Sequence, residues 1–437
     1  MASATGASQQ PSAERAGRGD LTTGRVETPM EIFGYRDSGF DPIGVSASLS
    51  RPESRQGPVA PLQSWRRRLP GHPSLSEPVS CRRYTPRLEI HTGRIRDNAA
   101  TILELCARHD VDVACVTKVA CAHPEVVRAL LEAGATMLAD SRLENLWALR
   151  EMGVDVPLLL LRLPTLSRVA EVVRVADMSL VSSLVTIKAL AGAARSEGRC
   201  HRGILMVDVG DLREGVWPDR AVEIVRSTKG LSGFELVGLG CNLACFGGVM
   251  PTPENIGQLV ALREICRRET GLELPLLSGG STNALPLLVS DRLPREINHF
   301  RIGEGIMLGR NPSDRSPWPG TRQDTFVAIA EVIEVERKPS IPVGPRGQDA
   351  FGGCETFVDR GLRQRAICNL GRQDVAITGL KPVESGIQVL GGSSDHLILD
   401  VDEMNPEPRV GDELAFYPSY AALLALATSP YVYKTVV

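Results

Sequence analysis

A chain of 437 residues exceeds one typical domain, and 43% apolar with 23% charged residues is the balance of a globular protein with a sizeable buried core. A formal net charge of −3 leaves no basic footprint for nucleic acid or an anionic membrane, and no apolar run approaches the ~20 residues of a membrane span. Ten cysteines without a disulfide framework read as free thiols in a reducing compartment, and without an apolar leader the expected location is cytoplasmic.

Residues 1–84 are rich in Ser, Pro, Gly and Arg and lack a sustained apolar period, which predicts a disordered extension. A native start near Val79 is one expectation for this stretch, and peptides from residues 1–70 in the natively expressed protein would exclude it. Order is expected from Arg87-Leu-Glu-Ile-His91 onward. Eight short apolar runs follow: Val111–Lys118, Thr136–Asp140, Pro157–Arg162, Met178–Ser182, Gly203–Gly210, Phe234–Asn242, Leu274–Gly280 and Ile297–Gly303. Helical patterns lie between them, such as Val126, Val127, Leu130 and Leu131, or Leu143, Leu146 and Leu149. Eight alternations over about 200 residues predict an α/β chain with an N-terminal (β/α)8 TIM-like barrel over residues 85–318; an open doubly wound sheet is the alternative. The Pro-rich segment Asn311–Gly320 reads as a hinge. Beyond it, strand-like runs at Phe326–Glu336, Arg365–Gly371, Gly386–Leu390, His396–Val401 and Glu413–Tyr417 predict a C-terminal β-rich domain over 319–437.

In such barrels the chemistry collects at the C-terminal ends of the strands. There the sequence places Lys118, Asp140, Arg162, Asp208, Asn242, the turn Ser278-Gly-Gly-Ser281 and Arg301. Lys118 stands out because the chain has only six lysines, arginine supplying the rest of its 49 basic residues. An amine, unlike a guanidinium, can lose its proton and attack a carbonyl. The turns Leu277-Ser-Gly-Gly-Ser-Thr282 and Phe300-Arg-Ile-Gly-Glu-Gly305 follow the seventh and eighth runs, where these barrels commonly hold a phosphate. An amine and a phosphate site together suit pyridoxal 5′-phosphate (PLP), and equally a sugar-phosphate aldolase. Cys241 and Cys245 read as core thiols.

Longer strings add a resemblance. Ala114-Cys-Val-Thr-Lys118, Leu138-Ala-Asp-Ser-Arg142, Met206–Gly215, Arg301-Ile-Gly-Glu304, Gly371-Arg-Gln-Asp374 and Ser393-Ser-Asp-His396 resemble alanine racemase-like, fold-type III PLP enzymes, and within them ornithine racemases. The likeness runs from about Arg87 to the C-terminus. It implies a PLP-dependent racemase (an isomerase) that inverts Cα of a free amino acid, ornithine or another basic one, as a head-to-tail homodimer. It implies that Lys118 holds PLP and moves the α-proton, that Arg301 faces the pyridine nitrogen, that Asn242 packs near the ring, and that Arg213 contacts the cofactor or the substrate carboxylate. Ser278, Gly279, Gly280 and Ser281, with Gly303 and Glu304, are then the phosphate cradle, joined by Tyr420.

One departure stands. The family's Gly-Tyr-x-Asp-Gly turn, which carries its tyrosine base, matches Pro342–Gly352 here, and the tyrosine is absent. Asp349 and Asp395 are the candidates for a second base. Other readings of the resemblance are a PLP carrier with little turnover, or a D-amino-acid dehydratase or aldolase of the same fold type. The carrier resembles the barrel alone, and the dehydratases and aldolases need a His/Cys metal pair absent around His396, so no metal is expected.

Overall fold

The structure, a computed structural model, describes residues 84–437. The extension expected over 1–84 therefore lies outside the described residues, apart from Tyr84. Sixteen strands order the described chain: β1 (Arg87–Ile90), β2 (Asp112–Val116), β3 (Met137–Asp140), β4 (Leu158–Leu160), β5 (Met178–Val181), β6 (His201–Met206), β7 (Phe234–Gly240), β8 (Leu276–Gly280), β9 (His299–Ile302), β10 (Phe326–Pro339), β11 (Leu362–Cys368), β12 (Leu380–Pro382), β13 (Gln388–Gly392), β14 (Leu397–Asp400), β15 (Glu413–Pro418) and β16 (Tyr433–Val436).

β2 to β9 pair in parallel and close into a barrel, so the eight-run reading holds and the open sheet does not. Alternation along each strand divides the core in two. Ala114, Val116, Ala139, Leu159, Met178, Leu180, Ile204 and Met206 fill the barrel interior. The neighbours of these residues, such as Val113, Cys115 and Leu205, face outward into the layer beneath the helices. The helices carry their own signals. Pro253–Thr270 begins with a reciprocal cap, Thr252 accepting from the Asn255 amide and Asn255 accepting from the Thr252 amide, and ends at Gly271 with φ +73°.

The remaining strands form the second sheet, in the order β12-β15-β10-β11-β14-β13, with β1 and β16 attached through β10. Arg87–Ile90, expected within the barrel span 85–318, thus pairs elsewhere: antiparallel with β10 and parallel with β16. Its alternation of buried Leu88 and Ile90 is satisfied equally well by either sheet, so the pattern alone does not assign it. The second sheet also contains β12 and β16, and the helix Tyr420–Thr428 stands between β15 and β16; the sequence pattern predicts none of the three. That helix, capped by Ser419 onto the Ala422 amide, packs against the turn that starts at Lys118. No helix of the described residues is long and apolar enough to cross a membrane.

Close backbone approach, rather than turn geometry, explains one barrel glycine. A Cβ on Gly238 would stand 1.9 Å from the Leu276 carbonyl oxygen, so β7 meets β8 only with glycine there. Gly238→Ala should therefore push β8 and the turn after it outward and destabilise the fold by about 2 kcal/mol or more. Urea midpoints of the two proteins measure this.

Candidate active site

The strand carrying Lys118 closes two residues earlier than expected, at Val116, and Lys118 opens a single 3-10 turn, Lys118–Ala120. Thr117 anchors that turn. Its amide donates to the Ala139 carbonyl at 2.9 Å, and its hydroxyl donates to Asp140 Oδ2 at 2.7 Å. Asp140 is fully buried and also accepts from the Arg142 amide and Asn145 Nδ2. Burial raises its carboxyl above the usual range, and these donors act in the opposite direction. Lys118 Nζ makes no hydrogen bond to any described residue, and burial lowers its amine below the ordinary lysine value. Cys245, Asp140 and Glu214 offset part of that fall, while Arg213 adds to it. Lowering an amine's proton affinity moves it toward the form able to act as a nucleophile.

Lys118 lines a cavity of about 690 Å³ at the C-terminal end of the barrel. Across the mouth, Arg213 forms a two-pronged ion pair with Glu214. With its amide oxygen turned to Arg213, Asn242 accepts from Nη2 at 3.1 Å and Nη1 at 3.3 Å. Arg213 Nη1 also donates to Cys245 Sγ. The loop bearing Cys245 is pinned by Asp211, only 1% exposed, whose carboxylate accepts from the amides of Cys245, Phe246 and Val249.

Arg301 rises from β9 into the cavity floor. Its Nη1 donates to the Ser278 carbonyl and hydroxyl, and its Nη2 to the Cys241 carbonyl at 2.7 Å. Because arginine only donates, the Ser278 hydroxyl must pass its own proton to His299 Nδ1, 2.8 Å away. His299 Nε2 then keeps a hydrogen and finds no partner in the buried interior. Above this floor the amides of Ser281, Thr282, Gly303 and Glu304 donate to no group among the described residues. The Thr282 hydroxyl instead accepts from the Gly305 amide at 3.2 Å and ties the two turns together. Arg315 pairs with Glu304 at 2.5 Å, and burial raises that carboxyl against the pull of Arg315. Tyr420 closes the wall, its phenol pushed up by burial and then by Glu304.

The structure brings Lys118, Arg213, Asn242, Ser281, Arg301, Gly303, Glu304 and Tyr420 to one cavity. Ser278, Gly279 and Gly280 do not line it: the Ser278 side chain is spent on Arg301 and His299, and a Cβ on Gly279 or Gly280 would meet Ile297 or Ala284. Asp349 and Asp395 lie in the second domain, away from this cavity. Asp349 sits on a separate cavity of about 640 Å³, with Oδ1 accepting from the Phe351 and Gly353 amides. Asp395 is exposed and accepts from the Ser394 hydroxyl. Of the two thiols read as core, Cys241 is buried but Cys245 is exposed in the cavity. Arg315 was hidden in the segment read as a hinge.

Comparison with known proteins places these residues in a lineage. Residues 90–311 match the family described as alanine racemase, N-terminal domain. The chain belongs to this alanine racemase family. It is 41% identical over 349 residues to the lysine racemase of Thermotoga maritima, covering 80% of this chain and 98% of that protein. It is 38% identical over 350 residues to the ornithine racemase of Acetoanaerobium sticklandii, covering 80% and 99%. The alanine racemase of a D-cycloserine-producing Streptomyces lavendulae shares the fold at 19% identity, TM-score 0.61, over 81% of this chain and 98% of that one. So does the D-threonine aldolase of Filomicrobium marinum at 16% identity, TM-score 0.61, over 79% and 88%. The present chain is thus an amino-acid racemase of the alanine racemase fold.

Within this racemase, burial pushes the His299 imidazole down to about 3 and His201 to about 4. Both stay neutral in the fold, whereas the unfolded chain protonates them near ~6.5. The unfolded state therefore takes up protons first as pH falls. Stability declines from about pH 6.5 downward, by at most ~1.4 kcal/mol per pH unit for each histidine. His299→Gln should flatten that slope by one histidine's share, read from urea midpoints at several pH values between 7 and 5. An unchanged slope would mean that His299 accepts a proton within the fold.

Proposed function

We propose that this racemase uses pyridoxal 5′-phosphate to invert Cα of a free basic amino acid, lysine or ornithine. The observation that carries the reading is the unpartnered, half-buried amine of Lys118 sharing one cavity with a turn of unused backbone amides. The residues fit such a cofactor. The cavity volume suits a small molecule, and the free amides of Ser281, Thr282, Gly303 and Glu304 suit a phosphate. Glycine at 303 lets that turn lie close against β2, since a Cβ there would stand 3.2 Å from Val116 Cβ. When bound, PLP supplies an aldehyde for an amine and a ring that draws off the electron pair left at Cα.

The chain's own groups would divide the remaining work. Lys118, its amine's affinity for a proton lowered by burial, holds the cofactor and moves a proton at Nζ. Arg301 is clamped by two carbonyls and a hydroxyl, and a guanidinium keeps its proton, so it meets a ring nitrogen only as a donor. Arg213, oriented by Glu214 and Asn242, offers a cation to a carboxylate. Tyr420 and Arg315 narrow the mouth against water. The basic substrate is taken from the two named relatives. A head-to-tail homodimer belongs to the same reading. It would cover Val343, Phe351 and Val358, which stand 88%, 52% and 72% exposed on the second domain.

Lys118→Ala should remove the cofactor's absorbance near the visible edge and lower α-hydrogen exchange by about 10³-fold or more. Incubation with a panel of L-amino acids in heavy water reports substrate, exchange and stereochemistry together. Racemisation that survives in the variant would refute the assignment.

A further inference from the structure

We propose that Cys245 is the second proton-transfer group of this racemase, exchanging a proton with Cα on the face opposite Lys118. The inference rests on the PLP-racemase reading and names the group which that reading leaves open. A lone amine removes and returns a proton on one face, so inversion needs a second donor across the substrate.

Within one chain, barrel topology sorts the candidates for that donor to two sides of the mouth. β9 pairs with β2, so Glu304 shares a side with Lys118. Tyr420 belongs to that side too, because its helix packs on the Lys118 turn. β7 lies three strands from β2 by the shorter way round, so its loop faces Lys118 across the mouth. On this far side Asn242 does not titrate and Arg213 keeps its proton. Glu214 has both oxygens engaged by Arg213 Nε and Nη2. Among the described residues there, the Cys245 thiol is the group able both to give and to take a proton, and it is open to the cavity.

Its setting is built rather than incidental. Asp211 fixes the Cys245 backbone through three loop amides. Arg213 Nη1 donates to Sγ and offers a permanent positive charge to the sulfur when its proton leaves. Asp349, the candidate from sequence, is set differently. Backbone donors from Gly353 and then Phe351 hold its carboxyl below the usual range, which suits a loop brace better than a base.

The step balances without a redox change. The Cα–H bond breaks toward Lys118 Nζ, and its electron pair stays with the substrate. The Sγ–H bond then breaks and a new Cα–H bond forms on the opposite face. An ammonium and a thiolate remain, and one proton returns from Nζ to Sγ through water at the mouth. The opposite enantiomer runs the sequence in reverse.

The test takes full-length holoenzyme carrying Cys245→Ala or Cys245→Ser, with L- and D-lysine and L- and D-ornithine in heavy water. Inversion should fall at least ~100-fold in both directions. One enantiomer should still gain deuterium with its configuration retained, through Lys118, while the other should not. Inversion within about threefold of the unaltered enzyme overturns the proposal, and so does an equal loss of exchange from both enantiomers. If the unaltered enzyme itself exchanges no α-hydrogen, the racemase reading fails first, and the two failures are told apart. A readout independent of turnover is iodoacetamide labelling with peptide mass mapping. Arg213→Leu should slow alkylation of Cys245 severalfold relative to exposed Cys200, and an equal rate in both proteins would remove Arg213 as its partner.

Discussion

The pairing of the first and last barrel strands is the constraint on which the site depends. Asp112 lies beside His299, Ala114 beside Arg301 and Cys115 beside Ile302. That register sets Lys118 and the Gly303 turn at one rim, although nearly two hundred positions of chain separate them. A shift of one residue would turn Arg301 out of the barrel, because the side-chain period along a strand is two. The floor under Arg301 follows from the same closure. Ser278 and His299 stand on adjacent strands, so the Ser278 hydroxyl can donate to His299 Nδ1 while it accepts from Arg301.

Burial then has two outcomes within this one cavity. Arg301 is buried, and burial lowers its guanidinium, yet a cation that starts so far above neutrality stays charged. Two carbonyls and a hydroxyl answer that charge in place of a carboxylate. Lys118 feels the same cost from a lower starting point, and there burial brings the amine nearer to losing its proton. Glu214 and Glu304 are paired with Arg213 and Arg315, so neither carboxylate holds Lys118 in its protonated form by direct contact. The preference for arginine across this sequence shows here too: the cavity cations held in hydrogen bonds and ion pairs, Arg213, Arg301 and Arg315, are arginines, and the one left without a partner among the described residues is a lysine.

Much of this was legible in the sequence because barrel strands advertise themselves. Eight apolar runs ending in polar residues locate the rim, and Lys118, Asn242 and Arg301 fall there by counting alone. Boundaries were less legible. The Lys118 run ends early because Thr117 turns its hydroxyl to Asp140, a contact twenty-three positions away that no local pattern carries. Ser278, Gly279 and Gly280 were drawn into the cradle because small residues in a turn look alike; whether they face a ligand or the layer beneath is set by the next strand. Arg87–Ile90 was drawn into the barrel for a similar reason, since an alternating strand fits any sheet. Arg315 lay in a stretch whose prolines suggested a linker, and Cys245 looked like one more apolar thiol. Both join the cavity through a partner distant in sequence, Glu304 and Arg213 respectively.

The helix Tyr420–Thr428 ties the site to the order in which the chain is made. Lys118 leaves the ribosome early among the described residues, and its neighbour Tyr420 follows some three hundred residues later. The strand after that helix, β16, also supplies one edge of β1. During synthesis the Lys118 amine therefore precedes by a long stretch of chain the wall that encloses it. The lowered affinity of Lys118 for a proton belongs to the finished molecule, because the burial that causes it is complete only when the last helix is in place.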